Sequence, residues 1–136
     1  MEQTVADRLA EATAELGHLR VRTDDGIWGF SPDEHFTPQE LFQEKYQGKR
    51  PAVGYPSLPD QSVIFQLADL LDYPTLGIQV TESGAMIPHA STTGLIISNP
   101  HACHFSVGKI GQDQLADYAK RRRMKPEELH KFLNLL

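Results

Sequence analysis

Cysteine is almost absent from this sequence: Cys103 is the only one in 136 residues. An internal disulfide and a multi-cysteine zinc site are therefore excluded. The run His101-Ala102-Cys103-His104 suggests a metal site, but in a strand His104 would face away from His101 and Cys103. Because no second ligand pair accompanies this run, an ordinary turn followed by a strand is the favoured interpretation, and we expect no metal.

The sequence also lacks long apolar runs and an excess of positive charge. No run approaches the roughly 20 apolar residues of a membrane-spanning helix, and no basic-then-apolar signal pattern opens the chain. We therefore expect a cytoplasmic protein with no membrane partner. The formal net charge of −5 disfavours a general nucleic-acid binder. The one dense basic run, residues 120–125, is most simply a solvated helix end; docking of an acidic protein is an alternative, and nucleic-acid binding a third.

The composition is that of a soluble globular protein, with 40% hydrophobic and 23% charged residues. A chain of this length forms one domain, residues 1–136, with a substantial core. It shows no internal repeat, P-loop, dinucleotide-binding glycine motif or zinc-protease signature.

The first half of the chain has the spacing of amphipathic helices. Residues 4–20 place apolar side chains on one helical face: Val5, Leu9, Ala12, Leu16 and Leu19. On this helix Asp7 and Glu11 lie one turn apart, as a solvated acidic edge or, alternatively, as carboxylates facing a ligand. Residues 21–30 indicate an extended or hairpin segment with its turn at residues 24–26.

Further helices are expected after this segment. Thr37-Pro38-Gln39-Glu40 is a capping-box start, and Gly48 ends that helix. Its predicted buried side chains are Leu41, Phe42 and Tyr46. Asp60 is predicted to cap a third helix, closed by Pro74 and Gly77. That helix buries Val63, Ile64, Leu67, Leu70 and Leu71. Two C-terminal helices follow, one through Leu115, Tyr118 and Ala119, the other from Pro126 through Leu129, Phe132 and Leu133.

The pattern between these helices is typical of strands. Residues 76–82, 91–98 and 103–110 are short β-rich runs separated by turn residues, which predict an antiparallel meander. The expected fold class is therefore α+β.

The proline-rich run of residues 50–60 is the most distinctive segment. Its three prolines exclude a helix and favour a stiff extended loop. Arg50 is a planar cation suited to a carboxylate, Gly54 permits close approach of a ligand, and Tyr55 offers a flat ring with a polar tip. From these residues alone, an anion-binding loop and a plain connector are equally supported.

Several motifs together resemble one known family. Arg50-Pro51-Ala52-Val53-Gly54-Tyr55 is similar to the RxxxGY signature of the S-adenosylmethionine-binding activation domain of cobalamin-dependent methionine synthase. Other segments also resemble that family, in order and without large gaps from about residue 6 to residue 133: Ala6-Asp7-Arg8-Leu9-Ala10-Glu11-Ala12, Trp28-Gly29-Phe30-Ser31-Pro32, Thr81-Glu82-Ser83-Gly84-Ala85-Met86, Ala90-Ser91-Thr92-Thr93-Gly94 and Val107-Gly108-Lys109-Ile110.

The resemblance implies a C-shaped α+β domain, with a twisted antiparallel sheet and helices packed at its ends. It implies a module that binds S-adenosylmethionine and positions its methyl group for reductive methylation of cob(II)alamin, in methionine biosynthesis. Cobalamin would be held by a partner chain or domain. The implied partners are the corrinoid-binding and catalytic parts of methionine synthase and a flavodoxin-like reductant. The alternative is a docking module for a corrinoid protein that makes no productive use of S-adenosylmethionine.

The resemblance also implies ligand-binding residues. Arg50 would bind the ligand carboxylate, and Glu11 an ammonium or ribose group. Ala52, Gly54 and Tyr55 would line the adenosine side. A Tyr-Tyr pair of the family that contacts the ligand falls on His104 and Phe105, so a smaller, titratable ring stands at position 104. Gly84 stands where the family has a bulky residue.

No catalytic residue of the chain's own is expected, since the sulfonium is a good leaving group and cob(I)alamin is a strong nucleophile. The family's domain extends upstream of the region matched, so we expect this chain to hold only the C-terminal portion of the domain. We accordingly expect weak ligand binding without a completing polypeptide, and an isolated chain that is inactive alone.

Overall fold

The computed structural model describes residues 2–24 and 27–133. The chain forms two compact units. Unit 1 comprises Met1–Arg50 and Leu95–His104, and unit 2 comprises Pro51–Gly94 and Phe105–Leu136. Among the residues described, no helix has the length and apolar character needed to cross a membrane.

Unit 1 is built on one long helix, α1 (Glu2–Thr23). It extends beyond the predicted 4–20, so the expectation of an extended segment is wrong for residues 21–23. The last turn is held by Arg22, whose Nε and Nη2 donate to the Glu34 carboxylate at 2.8 and 2.6 Å. Arg20 and Arg22 also place positive charge where the helix dipole favours it. The predicted turn at residues 24–26 lies partly outside the described residues.

The buried side of α1 is polar, which corrects the expectation from hydrophobic periodicity. His18 and Arg22 are completely buried, whereas Val5, Leu9 and Leu16 are 57%, 63% and 48% exposed. Burial of Arg22 is compensated by the ion pair with Glu34 and by the ring of Tyr46, whose centroid lies 4.2 Å from the guanidinium carbon. Specific polar partners therefore decide which face of α1 is buried.

The second helix of unit 1, α2 (Pro38–Phe42), begins as predicted. Thr37 and Glu40 form the capping box, and Pro38 opens the helix. The helix ends at Phe42, well before Gly48, because Glu44 adopts a left-handed φ of 50°. Phe42 is 93% exposed, contrary to expectation, while Tyr46 is buried as expected.

Unit 2 begins with α3 (Val63–Leu71), followed by a 3₁₀ turn at Tyr73–Leu76. Ser62 occupies the N-cap position that the sequence assigned to Asp60. The inward side chains are Ile64 and Leu67, whereas Leu70 and Leu71 are exposed. Ile64 and Leu67 pack with Val53 and Tyr73 in the first core cluster of the unit.

The C-terminal helices of unit 2 are α4 (Gln112–Arg122) and α5 (Pro126–His130), close to the predicted positions. Leu115, Ala119, Leu129 and Leu133 form their core. Asp60 lies under α4: its carboxylate accepts hydrogen bonds from Tyr118 Oη at 2.7 Å and from Ser62 Oγ at 2.6 Å.

Part of the basic run belongs to this buried network. Arg122 Nε is 3.2 Å from Asp60 Oδ2, and the Arg122 side chain is only 14% exposed. The run is therefore not simply a solvated helix end.

Among the residues that the structure describes, regular sheet is confined to one antiparallel pair, β1 (Gln79–Val80) and β2 (Met86–Ile87), with Gln79 opposite Ile87. The α+β class is confirmed. The strands are shorter than the predicted meander, and residues 103–110 contain no assigned strand. Pro88 has no N–H to donate to a ladder, and Gly108 has a left-handed φ of 72° that interrupts the third run. Residues 91–98 contribute isolated bridges: Lys49 to Ile97 in unit 1 and Ala52 to Gly94 in unit 2.

Candidate functional site

Arg50 contacts the buried face of α1. Its Nη1 donates to Glu15 Oε2 at 3.0 Å and lies 3.5 Å from His18 Nδ1. The side chain is 29% exposed. Neither Nε nor Nη2 has a hydrogen-bond partner among the described residues. One edge of the guanidinium is thus held by the protein, and the other remains available to a carboxylate.

The pKa of His18, which lies beside Arg50, is shifted far from its ordinary value. Desolvation, followed by the charges of Arg22, Arg50 and Lys49, lowers the pKa of His18 to about 4, against a small opposing effect of Glu44. At neutral pH the ring is therefore uncharged, and its Nδ1 can accept a hydrogen bond.

Aromatic and charged groups enclose His18. Its ring packs edge-on against Tyr46, with centroids 5.1 Å apart. Lys49 Nζ lies 5.2 Å from the Tyr46 ring centroid, and burial is the main cause that raises the pKa of Tyr46. This cluster fixes the imidazole beside Arg50.

Glu11, the other predicted residue on α1, is in a different environment. Its carboxylate accepts a hydrogen bond from Arg8 Nη1 at 2.8 Å, and its side chain is 64% exposed. It lies one helical turn before Glu15, on a neighbouring part of the same face. The structure therefore pairs Arg50 with Glu15 and leaves Glu11 in a surface ion pair.

Glu15 and His18 were not predicted as site residues. The helical spacing contained a signal for them, because positions 11, 15 and 18 share one face of α1. The contact with Arg50, however, joins residues 35 positions apart. No local pattern reports a contact over that separation.

His104 is the third predicted site residue in unit 1. Its Nε2 lies 3.5 Å from Glu44 Oε1, and its side chain is 40% exposed. Lys49 Nζ lies 3.1 Å from the other carboxylate oxygen, Glu44 Oε2. His104 and Lys49 thus both contact the carboxylate of Glu44.

The remaining predicted residues, Ala52, Gly54, Tyr55 and Phe105, belong to unit 2. The loop there is turned rather than extended: Gly54 N donates to Leu58 O at 2.9 Å. Gly54 has a φ of 85°, and a Cβ at this position would clash with the side chain of Gln61. The glycine is thus required by the turn and by Gln61.

Both aromatic rings of this group are accessible. Tyr55 is 65% exposed and Phe105 is 58% exposed. A cavity of about 500 Å³ also lies in unit 2, between residues 58–60 and α4. None of the four predicted unit 2 residues lines it. The cavity is therefore separate from the predicted ligand contacts.

Within the part of the chain that the structure describes, no group of three His, Cys, Asp or Glu side chains is arranged to hold a metal ion. Cys103 is exposed.

Comparisons with known proteins agree with one another. A family model described as vitamin B12 dependent methionine synthase, activation domain, matches residues 1–123. The chain is also similar to a solved structure, the crystal structure of the MetH reactivation domain bound to AdoHcy, with 42% sequence identity and a TM-score of 0.88. That match covers 95% of this chain and 39% of the solved chain, so this chain spans about two fifths of its length. The family resemblance found in the sequence motifs is confirmed.

Proposed function

Because the chain belongs to the activation-domain family of vitamin B12-dependent methionine synthases, we propose that it is a reactivation module that binds S-adenosylmethionine. Residues 1–136 would form part of one activation domain. The chain acts with the corrinoid-binding and catalytic parts of methionine synthase, and a flavodoxin-like protein supplies the electron. The chain alone does not turn over substrate.

The observation that carries the proposal is the half-engaged guanidinium of Arg50. Nη1 is committed to Glu15 and His18, whereas Nε and Nη2 have no partner within residues 2–24 and 27–133. Arginine binds carboxylates through two parallel N–H donors. The carboxylate of an amino acid head group fits the uncommitted edge.

Glu11 is the acidic group that we assign to the ligand ammonium or ribose, with its carboxylate exposed on α1. Ala52, Gly54, Tyr55, His104 and Phe105 are proposed as the further contacts on the strength of the family resemblance. The solved relative was crystallised with AdoHcy, which has the same amino acid head group and adenosine as S-adenosylmethionine.

The role of the chain is positioning. S-adenosylmethionine would supply an activated methyl group on its sulfonium to cobalamin held by the partner, and S-adenosylhomocysteine would be the leaving group. This chain's residues bind and orient the methyl donor, and orientation alone lowers a barrier by several kcal/mol. No residue of this chain needs to transfer a proton.

Calorimetric titration with AdoHcy tests the proposal. The wild-type chain should show saturable binding, and Arg50→Ala should weaken it roughly 10- to 150-fold, the equivalent of about 1.5–3 kcal/mol for a charged hydrogen bond. Arg50→Lys, which keeps the charge but loses the planar pair of donors, should give an intermediate loss.

Arg20→Ala is the matched control, since Arg20 is an exposed arginine of α1; its affinity should stay within about twofold of wild type. Absence of saturable heat with the wild-type chain, or equal affinities for wild type and Arg50→Ala, would contradict the proposed function.

A further inference from the structure

We propose that Glu15 and His18 are positioning residues that hold the guanidinium of Arg50 in the orientation its carboxylate ligand requires. The inference rests on the proposed function. The three residues come from two separate segments, and both partners contact the same nitrogen, Nη1, at 3.0 Å for Glu15 and 3.5 Å for His18.

The backbone around Arg50 is fixed independently of this contact. Lys49 and Ile97 exchange two backbone hydrogen bonds, of 3.1 and 2.9 Å, one residue before Arg50. On α1, Glu15 and His18 are three positions apart and therefore present neighbouring side chains. The side chain of Arg50 is thus anchored at its backbone and at Nη1.

His18 is suited to this role only as a hydrogen-bond acceptor. Arginine has donors and no acceptor, so Nδ1 must carry the lone pair and Nε2 the proton. Burial, followed by the charges of Arg22, Arg50 and Lys49, lowers the pKa of His18, and Glu44 opposes this effect. Tyr46 packs edge-on against the ring, and Glu15 is paired with Arg50. The ring is therefore neutral and able to accept from Arg50.

Both partners leave a buried polar atom unsatisfied among the described residues. His18 Nε2 and Glu15 Oε1 are buried without a hydrogen-bond partner. Such atoms are rare in folded proteins, and each one calls for a specific explanation. Here each side chain uses its other polar atom to contact Arg50. The contact with Arg50 therefore explains why each side chain lies where its remaining polar atom has no partner.

The consequence for the ligand follows from the geometry of the guanidinium. With Nη1 engaged, rotation about the Cδ–Nε and Nε–Cζ bonds is restricted, and the Nε–Nη2 edge keeps one direction. A long side chain that is already ordered loses less freedom when a ligand binds. Affinity for a ligand carboxylate should therefore depend on Glu15 and His18 although neither contacts the ligand.

The experiment combines paired variants with two measurements on the full chain. His18→Asn retains an acceptor oxygen near the position of Nδ1, whereas His18→Leu replaces the ring with an apolar side chain that has no acceptor. Glu15→Gln retains an acceptor, whereas Glu15→Ala does not. Glu127→Ala, at an exposed acidic position of α5, is the matched control, and circular dichroism verifies that every variant is folded.

The first measurement needs no ligand. ¹⁵N NMR of the Arg50 guanidinium should show hindered rotation about the Nε–Cζ bond, and therefore slow exchange between Nη1 and Nη2, in the wild-type chain and in Glu15→Gln. Rotation should be fast in Glu15→Ala and His18→Leu. Fast rotation in the folded wild-type chain would overturn the inference, whatever the chain binds.

The second measurement is AdoHcy affinity. Glu15→Ala and His18→Leu should weaken binding roughly threefold to tenfold, with recovery in Glu15→Gln and His18→Asn. In an Arg50→Ala background, Glu15→Ala should have no further effect. If Glu15 merely repelled the ligand carboxylate, its removal would tighten binding, and that result would overturn the inference. Loss of affinity in Arg50→Ala without any loss in Glu15→Ala would also reject it while leaving the proposed function intact.

Discussion

Acid should destabilise this protein through His18. The ring is completely buried, and burial together with three nearby cations lowers its pKa from 6.5 to about 4. A chain that unfolds exposes the imidazole and restores its ordinary pKa. The unfolded state therefore binds a proton between pH 6.5 and pH 4 that the folded state does not. Stability should be fully present above pH 6.5 and decline as the pH falls towards 4.

The magnitude follows from the two pKa values. Relative to pH 8, the contribution of His18 at pH 5 is a loss of about 2 kcal/mol in the free energy of unfolding. At pH 4 the loss reaches about 3 kcal/mol, close to its limiting value. Losses of this size are a large fraction of the net stability of a small domain, which is on the order of 5–15 kcal/mol.

Urea unfolding of the wild-type chain and of His18→Asn measures this contribution. Other titrating groups affect both proteins equally, so the difference between their unfolding free energies isolates His18. That difference should shift by about 2 kcal/mol in favour of the variant between pH 8 and pH 5. NMR of the ring protons should show that at most about a tenth of His18 is protonated at pH 5. Parallel pH profiles for the two proteins would refute the reasoning.

Two further predictions concern stability. Glu34→Gln leaves the fully buried guanidinium of Arg22 without its counter-charge and should lower the free energy of unfolding in urea by roughly 3–5 kcal/mol. The control Asp117→Asn, in an exposed pair, should lower it by less than about 1 kcal/mol, and equal losses would argue against the buried pair. Gly94→Ala places a Cβ against a backbone carbonyl oxygen and should destabilise the protein by roughly 1–3 kcal/mol. Gly17→Ala, in open space on α1, should stabilise it by about 0.5–1 kcal/mol. Thermal unfolding measures both, and a midpoint that rises in both variants would contradict this account.

Local chemistry made some elements predictable. The capping box of Thr37 and Glu40 and the prolines that open α2 and α5 act within a single helical turn, so the sequence contains all that they need. The C-terminal helices were likewise located by the spacing of Leu115, Ala119 and Leu129, which form one core. In these elements the deciding interactions span three or four residues, and pattern and structure agree.

The orientation of α1 could not be predicted in this way. Periodicity favours burial of Val5, Leu9 and Leu16, yet the structure buries His18 and Arg22. The partners that make this favourable, such as Glu34, lie beyond the helix and are not visible in its period. The strands were overestimated for a related reason, since β propensity does not report whether a partner strand offers continuous hydrogen bonds.

Arg50 could be proposed as a ligand residue because its motif is local, whereas the residues that contact its side chain are distant along the chain. The separation of 35 residues between Glu15 and Arg50 hides their contact from any spacing argument. Family resemblance suggested Glu11 as a ligand residue, and the structure shows that Glu15, one turn later on α1, contacts Arg50. Motifs therefore pointed to the arginine that we propose binds the ligand, and the three-dimensional structure was needed to find the residues that contact it.

With Arg50 in its proposed role, the buried face of α1 links stability to ligand binding through one neutral ring. The pKa of His18 is lowered by the positive charges of Arg22 and Arg50. Arg22 is paired with Glu34, and Arg50 is the residue that we assign to the ligand. Protonation would add a third positive charge and convert Nδ1 from an acceptor into a donor that opposes Arg50. The burial that keeps His18 uncharged therefore protects two features together: the fold around Arg22 and the orientation of Arg50. A residue that served packing alone would need only a ring of the right size, whereas this position needs an uncharged acceptor.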